Sequence, residues 1–271
     1  NPVNRSQMLE DVLYVLFEFT DLPRYDSKPD VKDCQFVLGC FCEMLIKENR
    51  FYFTKDDFLK RTRECSASNM IDIDVKVVFD ILFQNNIISD VDNQLAFKSA
   101  FWLLYFAARR MHGNPDFAEY IFKSKKYLDY PEIIEFYTGI DRNRNDALNI
   151  LLKDIHETCD VVFTRISIPD TINPYRLARW HPDIEHIEKM QQELSDTVMS
   201  SGLPEVIKDK YQDLGYNQLT PYNQDVVIHD FFEEYYVYNL MQEIKSSSRA
   251  LRNSDYADAS IKKQLLGEIL R

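Results

Sequence analysis

The sequence predicts a mainly α-helical fold that contains one small β-hairpin. Only 6 glycines occur among the 271 residues, which leaves few positions for the tight turns of an all-β protein. Over most of the chain the apolar residues recur at the three- and four-residue spacing of amphipathic helices. Residues 87–98, IISDVDNQLAFK, instead predict two short strands around a turn at Asp92-Asn93.

The N-terminal residues predict a capped helix and then a linker. Asn4 is placed to cap this helix, and Gln7 can reach back to complete a capping box. The polar stretch from Leu22-Pro23 to Lys28-Pro29 indicates a linker. Because the chain begins with Asn1 and not methionine, we expect residues 1–22 to continue from an upstream module of a longer protein. The broad apolar face of this helix comprises Met8, Leu9, Val12, Leu13, Val15, Leu16 and Phe19.

Residues 30–98 predict a winged-helix-like domain. Residues 34–49 have helical periodicity, residues 51–54 form a very short strand, and Thr54 caps a second helix. A third helix spans about residues 72–84 and precedes the hairpin. Helix, strand, helix, helix and hairpin is the element order of a winged helix. A plain helical bundle with an incidental hairpin is the alternative.

Residues 95–111, LAFKSAFWLLYFAARRM, predict a strand that runs directly into a buried helix. Residues 100–108 are all apolar, and Arg109 and Arg110 end the run. A helix that is apolar on every side must be covered by protein or lipid, and this one is far shorter than the about 20 residues that span a bilayer. We therefore expect a core helix between two modules, with structural anchors at Trp102, Tyr105 and Phe106.

The rest of the chain, residues 99–271, predicts an α-helical domain. Prolines separate the candidate helices, and no convincing repeat indicates a solenoid. Beyond the core helix, the candidates are residues 116–127, 132–137, 145–164, 183–199, 223–247 and 259–270.

The five cysteines form an odd set without the spacing of a zinc site. Cys34, Cys40 and Cys42 share one apolar helical segment, where free cysteine is usually buried. We expect these three to be buried free thiols in a reduced, cytoplasmic protein.

The charge of the chain argues against nucleic-acid and membrane partners. A formal net charge of −12 repels phosphate and anionic lipid over most of the surface. Winged helices often contact DNA through their third helix, but here that helix has Asp72, Asp74 and Asp80 against one basic residue, Lys76. A winged helix that packs against protein is therefore favoured over one that binds DNA.

Catalytic and nucleotide-binding motifs are absent from the sequence. A P-loop requires lysine directly after its last glycine, and there is neither a G-x-S-x-G elbow nor an H-E-x-x-H motif. We predict no catalytic, cofactor-binding or metal-binding residue in this chain. The residues that follow the six glycines are Cys40, Asn114, Ile140, Leu203, Tyr216 and Glu268.

Three groups of polar residues are candidates for a catalytic or metal-binding site. His181 and His186 are five residues apart, a spacing that directs the two rings apart on a helix. His156 and Cys159 can share a helix face, but the apolar neighbours of Cys159 predict an inert thiol. Glu233-Glu234 are adjacent and suit a solvated helix face. Solvated or capping roles are favoured for all three groups.

The charged run DRNRND at residues 141–146 has two explanations. The favoured one is helix punctuation, in which Thr138-Gly139 stops one helix and Asn145 or Asp146 begins the next. The alternative is a functional role in which Arg142 and Arg144 clamp an acidic surface of a partner.

A family resemblance follows from the strand LAFK and the helix SAFWLLYFAARRM, which includes YFAA at residues 105–108. This pattern resembles the region C-terminal to the ATPase core in bacterial STAND nucleoside triphosphatases of the NACHT-like type, many of which act in antiphage defence. Residues 130–148, YPEIIEFYTGIDRNRNDAL, are similar to the same proteins, and the resemblance covers about residues 1–153.

The resemblance implies a regulatory role without catalysis. The P-loop and Walker B elements, with ATP and Mg²⁺, would lie upstream, and the winged helix would hold that ATPase core closed. The C-terminal helices would recognise a trigger, for example a protein. Release of the ATPase core by the winged helix would then allow self-oligomerisation. Some members contact ADP through a winged-helix histidine, whereas this chain has none before His112. The alternatives are a winged-helix transcriptional regulator with a helical ligand-sensing domain, and an enzyme with a scattered site.

Overall fold

The computed structural model describes residues 4–19, 29–91, 93–166, 200 and 236–271. Helices account for 76% of these residues, and their only sheet is one two-stranded antiparallel hairpin. The predicted mainly α class is therefore confirmed. The chain divides into two compact units, Asn1–Val162 with Tyr236–Arg271 and Phe163–Tyr235. The hairpin and the helices named in this section lie in the first unit, except for residues 163–166 at the end of one helix.

The N-terminal half contains four helices and the hairpin, close to the predicted positions. Side-chain oxygens of Asn4, Asp30, Thr54 and Asp74 accept hydrogen bonds from backbone N–H groups in the first turns of these helices. The caps predicted at Asn4 and Thr54 are therefore confirmed. The elements are α1 (Arg5–Phe19), α2 (Val31–Glu48), α3 (Lys55–Ser68), α4 (Val75–Gln84), β1 (Ile88–Val91) and β2 (Gln94–Phe97).

The C-terminal half consists of helices in the described residues. The predicted helix at 116–127 is interrupted at Ser124-Lys125, where Lys125 has a left-handed backbone with φ 49°. The predicted helix at 183–199 and residues 223–235 of the next one lie outside the described residues. The elements are α5 (Ala100–Gly113), α6 (Pro115–Lys123), α7 (Lys126–Asp129), α8 (Pro131–Ile140), α9 (Asn145–Ile166), α10 (Val237–Asn253) and α11 (Ala259–Ile269).

The hairpin gains a third contact from the loop before α3. Ile88 pairs with Phe97 in the antiparallel register, and Asn93 adopts the positive φ that asparagine tolerates in a turn. Phe53, in the predicted short strand, forms an isolated bridge with Leu95 through N–H···O distances of 2.9 and 2.8 Å. The predicted element order is therefore present except for the strand at residues 51–54, which is reduced to a single bridge residue, Phe53.

Helix α5 is the centre of the first unit. It packs against α2, from the predicted 30–98 domain, and against α8, from the predicted 99–271 domain. Of the predicted anchors, Tyr105 and Phe106 are completely buried, and Trp102 is partly buried and stacks on Phe106 at 6.2 Å. Among the described helices, none is both long and apolar enough to cross a membrane.

Two arginines join the end of α5 to α2. Arg109 Nε donates to Gln35 Oε1 at 3.0 Å, and Arg110 Nε donates to Glu43 Oε2 at 2.7 Å. The helices approach closely at Gly39, where a Cβ atom would lie 3.1 Å from Arg110 Cβ. The arginines that end the apolar run therefore fix the α2–α5 contact.

The predicted apolar face of α1 is only partly buried. Leu13 and Phe17 are completely or almost completely buried, while Leu9 and Leu16 pack against the core from its edge. A helix that contacts its neighbours along one side covers only one stripe of a broad apolar face. The exposed members of this face are Met8, Val12 and Val15.

The cysteine prediction is correct at two positions and wrong at one. Cys34 and Cys42 are buried free thiols, whereas Cys40 forms a disulfide with Cys65 across a Cα–Cα distance of 6.5 Å. The partners are 25 residues apart in sequence, on α2 and α3. Packing of these two helices brings the two cysteines together. The local sequence around Cys40 does not indicate the disulfide.

Candidate functional site

Helix α8 carries a completely buried carboxylate. Glu135 is completely buried in the otherwise apolar run IIEFY. A carboxylate without partners is costly to bury, so its surroundings must supply positive charge. We call the ionic cluster around it the Glu135 hub: Glu132 and Glu135 of α8, Arg5 of α1, and Arg249 and Arg252 of α10.

The hub brings three elements together. Arg252 Nη2 donates to Glu135 Oε1 at 2.5 Å, and Arg5 Nη1 lies 3.6 Å from the same oxygen. Arg249 Nη1 lies 3.3 Å from Glu135 Oε2 and also pairs with Glu132. The Asn253 amide donates to the Glu135 carbonyl at 3.0 Å. One carboxylate therefore connects the first helix of the chain to α10.

The members of the hub differ in their exposure to solvent. The side chain of Arg252 is 61% exposed and that of Arg249 is 23% exposed. Arg249 therefore depends more strongly on Glu135, because solvent screens an exposed charge. The Arg249–Glu135 contact is an ion pair without hydrogen-bond geometry, since neither Glu135 Oε2 nor Arg249 Nη1 has a hydrogen-bond partner among the described residues. Breaking a buried pair is costly even where forming it adds little stability.

Next to the hub, α1 lies directly on α8. Ser6 Oγ donates to the Phe136 carbonyl at 3.3 Å, and Asn4 Nδ2 donates to the Gly139 carbonyl at 3.0 Å. A Cβ atom at Gly139 would overlap Ser6 Oγ and lie 3.2 Å from Ser6 Cβ. The contact therefore requires glycine at position 139.

Replacing Gly139 by alanine is expected to lower the free energy of unfolding by about 1–3 kcal/mol, the usual cost of overpacking. The added methyl group must displace Ser6 or shift α1 away from α8. Urea unfolding followed by circular dichroism measures the loss. Gly267→Ala is the matched control, because its Cβ meets nothing within 4 Å and a helical glycine-to-alanine change is stabilising. Equal stability of the two variants would contradict the tight α1–α8 contact.

A second buried carboxylate holds α10 at its other end. Glu243 is almost completely buried and accepts a hydrogen bond from Lys125 Nζ at 2.9 Å. Burial raises the pKa of Glu243, and the bond from Lys125 offsets only part of that increase. Nearby, Ser246 Oγ donates to the Tyr127 carbonyl at 3.1 Å. Helix α10 is thus attached to the start of α7 as well as to α8.

The raised pKa of Glu243 predicts a pH-dependent contribution to stability. The folded protein binds this proton more tightly than the unfolded chain, so the contribution is present below pH 4.5 and lost as the pH rises through the folded-state pKa. Wild type should therefore gain stability relative to Glu243→Gln as the pH falls from 7 to 4.5. The gain is at most about 1.4 kcal/mol per unit of pKa shift. Paired urea titrations at several pH values measure it, and a pH-independent difference would contradict it.

The arginines of the DRNRND run contact residues of this same chain. Arg142 Nη1 lies 2.8 Å from Asp255 Oδ2, and its guanidinium lies over the Tyr256 ring at 4.3 Å. Arg144 Nη2 pairs with Asp146 at 2.5 Å. The run separates α8 from α9, which starts at Asn145 as the punctuation explanation predicted, but the predicted stop at Thr138-Gly139 is wrong because α8 continues through both residues to Ile140. A clamp on a partner stays a prediction.

The histidine and cysteine of α9 do not form a catalytic pair. His156 Nε2 lies 3.5 Å from Asp160, and His156 Nδ1 lies 3.2 Å from Glu268. Burial raises the pKa of the Cys159 thiol, which keeps it protonated and unreactive. No group of three candidate metal ligands occurs in the part of the chain that the structure describes. His181, His186 and Glu233-Glu234 lie outside that part.

Helix α4 buries most of its apolar residues, and two acidic residues directly precede it. Asp72, Asp74 and Lys76 are exposed, and Asp80 lies 3.6 Å from Lys55. The exposed groups therefore leave little positive charge for contact with nucleic-acid phosphates.

The hub residues were missed in the sequence because their partners are distant in the chain. Glu135 is 117 residues from Arg252. One local signal was present: an ionisable residue within the apolar run IIEFY occupies a position where only a paired charge is tolerated. That signal identifies Glu135 but not the arginines.

No protein-family model, curated protein or solved structure matches this chain. Any function must therefore be argued from its own residues.

Proposed function

We propose that this chain is the non-catalytic regulatory portion of a STAND-like ATPase that acts in bacterial antiphage defence or signalling. The observation that supports the proposal most is the Phe53–Leu95 bridge. In a winged helix the strand before the second helix pairs with the last strand of the hairpin. An incidental hairpin on a helical bundle has no reason to form this pair. We therefore assign residues 30–98 to a winged-helix domain.

The position of α5 also supports the proposal. Its YFAA residues, 105–108, are completely buried, and the helix continues from the hairpin into the helical domain at residues 99–271. Helix α5 packs on α2 of the predicted 30–98 domain and on α8 of the predicted 99–271 domain. Well-packed interfaces shift between discrete arrangements, so a shift of α5 would change both contacts together.

The Glu135 hub supplies a candidate switch. It contacts α1, which would continue from the upstream ATPase core, and α10, which belongs to the helices that would recognise the trigger. A trigger that favours one arrangement of these helices over another would shift the population of the two states. In the resting state the winged helix would hold the core closed, and release would permit ATP exchange and self-oligomerisation. ATP and Mg²⁺ would bind upstream.

The second candidate is a winged-helix transcriptional regulator with a helical ligand-sensing domain. The winged-helix order supports both candidates equally. The exposed Asp72 and Asp74 just before α4, against Lys76 in its first turn, favour the first.

The native gene and the full-length protein test the proposal. A reading frame that extends upstream through a G-x-x-x-x-G-K-[ST] loop is expected. In that full-length protein, Arg252→Gln should raise ATP turnover in the absence of a trigger, because it weakens the hub. Arg63→Gln, on the exposed side of α3, is the charge-matched control and should change nothing. A frame without a P-loop, together with steeply salt-dependent binding to duplex DNA, would favour the regulator.

A further inference from the structure

A cleft of about 630 Å³ opens between α6 and α9. Its floor is formed by Met111, Phe122 and Tyr137, all buried, and Ala118 and Ile150 form part of its walls. Pockets for small molecules have volumes of roughly 300–1,000 Å³ and are mostly apolar with a few polar groups. The cleft has the size and lining of such a pocket.

The floor of the cleft is held in place by its polar neighbours. His112 packs on the Tyr137 ring with 4.4 Å between ring centroids, and its Nε2 lies 2.9 Å from the Tyr137 carbonyl. The Arg144 guanidinium also lies over the Tyr137 ring, at 4.4 Å. A binding surface that is already ordered loses less entropy when a ligand arrives.

The carboxylates of the cleft already have partners within the protein. Glu119 pairs with Lys123, and Asp146 pairs with Arg144. Asp154 accepts a hydrogen bond from the Tyr127 hydroxyl. In all, four basic side chains (Lys123, Lys125, Arg144 and Lys153) and three carboxylates (Glu119, Asp146 and Asp154) line the cleft.

Two basic side chains of the cleft can donate to a ligand. Arg144 Nε is buried and has no hydrogen-bond partner among the described residues. An unsatisfied buried donor costs about 1–3 kcal/mol. Because Nε is shielded from solvent, an acceptor on a ligand recovers this cost only when the guanidinium shifts on the Tyr137 ring. Lys153 Nζ lies 3.7 Å from Glu157 Oε1, and both side chains are more than half exposed. Such a pair contributes little, so Lys153 can turn to a bound anion.

We propose that this cleft binds a small anionic molecule with a flat apolar body, of the aryl phosphate class. The anion accepts hydrogen bonds from Lys153 and from the Arg144 guanidinium, which shifts on the Tyr137 ring to expose Nε, and the ring of the ligand lies on Met111 and Phe122. Lys125, at the edge of the cleft, pairs with Glu243 of α10. Occupancy of the cleft can therefore influence the helix that carries the arginines of the Glu135 hub. The assignment of the binding site does not rest on the proposed function.

Titration of the 271-residue chain with 4-fluorophenyl phosphate, followed by ¹⁹F NMR, tests the site. A probe of this size is expected to bind with a Kd of about 1 mM. Arg144→Gln should weaken binding at least tenfold, and Lys153→Gln should weaken it several-fold. Lys60→Gln is the matched control, since it removes one exposed lysine from α3 and should leave the Kd unchanged.

Further variants and probes separate the cleft from non-specific association. Ala118→Trp fills the space between α6 and α9 and should abolish binding, with circular dichroism used to verify that the variant folds. Inorganic phosphate and 4-fluorobenzyl alcohol, which lack the ring and the charge respectively, should each bind at least tenfold more weakly than the probe. Equal weakening by Lys153→Gln and Lys60→Gln, or unchanged binding by folded Ala118→Trp, would overturn the proposal. Equal affinity for inorganic phosphate would overturn the apolar part of the ligand assignment.

Discussion

Replacing Phe106 by aspartate is expected to unfold the compact unit that α5 organises. The Phe106 side chain is completely buried and contacts the rings of Phe97, Trp102 and Tyr105, with centroid distances of 6.2, 6.2 and 5.6 Å. Loss of a buried phenylalanine alone costs about 3–5 kcal/mol, and a buried charge without a partner costs more. The total cost is comparable to the free energy of unfolding of a typical domain, roughly 5–15 kcal/mol.

Far-UV circular dichroism and urea unfolding measure this effect. Met70→Asp is the control, because it introduces the same charge at a side chain that is 95% exposed. The control should lie within about 0.5 kcal/mol of wild type. If Phe106→Asp kept the unfolding midpoint of wild type, the placement of α5 at the centre of the core would be wrong.

Replacing Glu135 by glutamine should cost about 3–5 kcal/mol, the usual effect of removing one partner from a buried ion pair. The variant keeps the shape of the side chain but removes its charge. Arg249 then has only Glu132 as an acidic partner, and Arg5 and Arg252 lose the carboxylate that they share. Because Arg252 is largely exposed, it can turn to solvent, whereas Arg249 is less able to do so.

Equilibrium unfolding of five variants separates the charge effect from packing. Glu157→Gln is the control, because Glu157 is 59% exposed and pairs with Lys153 at 3.7 Å; its expected cost is at most about 1 kcal/mol. The double variant Glu135→Leu with Arg249→Leu should be more stable than either leucine variant alone, since neither member of the Arg249–Glu135 pair is left without the other. A cost of Glu135→Gln no larger than that of the control would refute the hub as a stabilising contact between α8 and α10.

Much of the fold was accessible from sequence because its causes are local. Helix α2 follows from apolar spacing, and the cap at Thr54 follows from one oxygen placed before a helical pattern. The hairpin follows from the turn at Asp92-Asn93, whose Asn93 adopts a positive φ. The break at Ser124-Lys125 was missed because no glycine or proline marks it.

The candidate sites were less accessible because they depend on distant contacts. The sequence predicted no site residue, and the anchors Trp102, Tyr105 and Phe106 are packing residues. The α6–α9 cleft combines side chains from four helices, and its key group, Arg144 Nε, became notable only because it is buried without an acceptor.

By itself, the sequence determined the helical class, the hairpin and the central buried helix, because helix periodicity, capping and turns act between residues a few positions apart. Only the tertiary structure decided that Cys40 pairs with Cys65, that Met8 on α1 faces solvent, and that Glu135 is neutralised by arginines from both ends of the chain. These outcomes depend on which helix faces pack together, and burial then makes a charge without its partner too costly to retain.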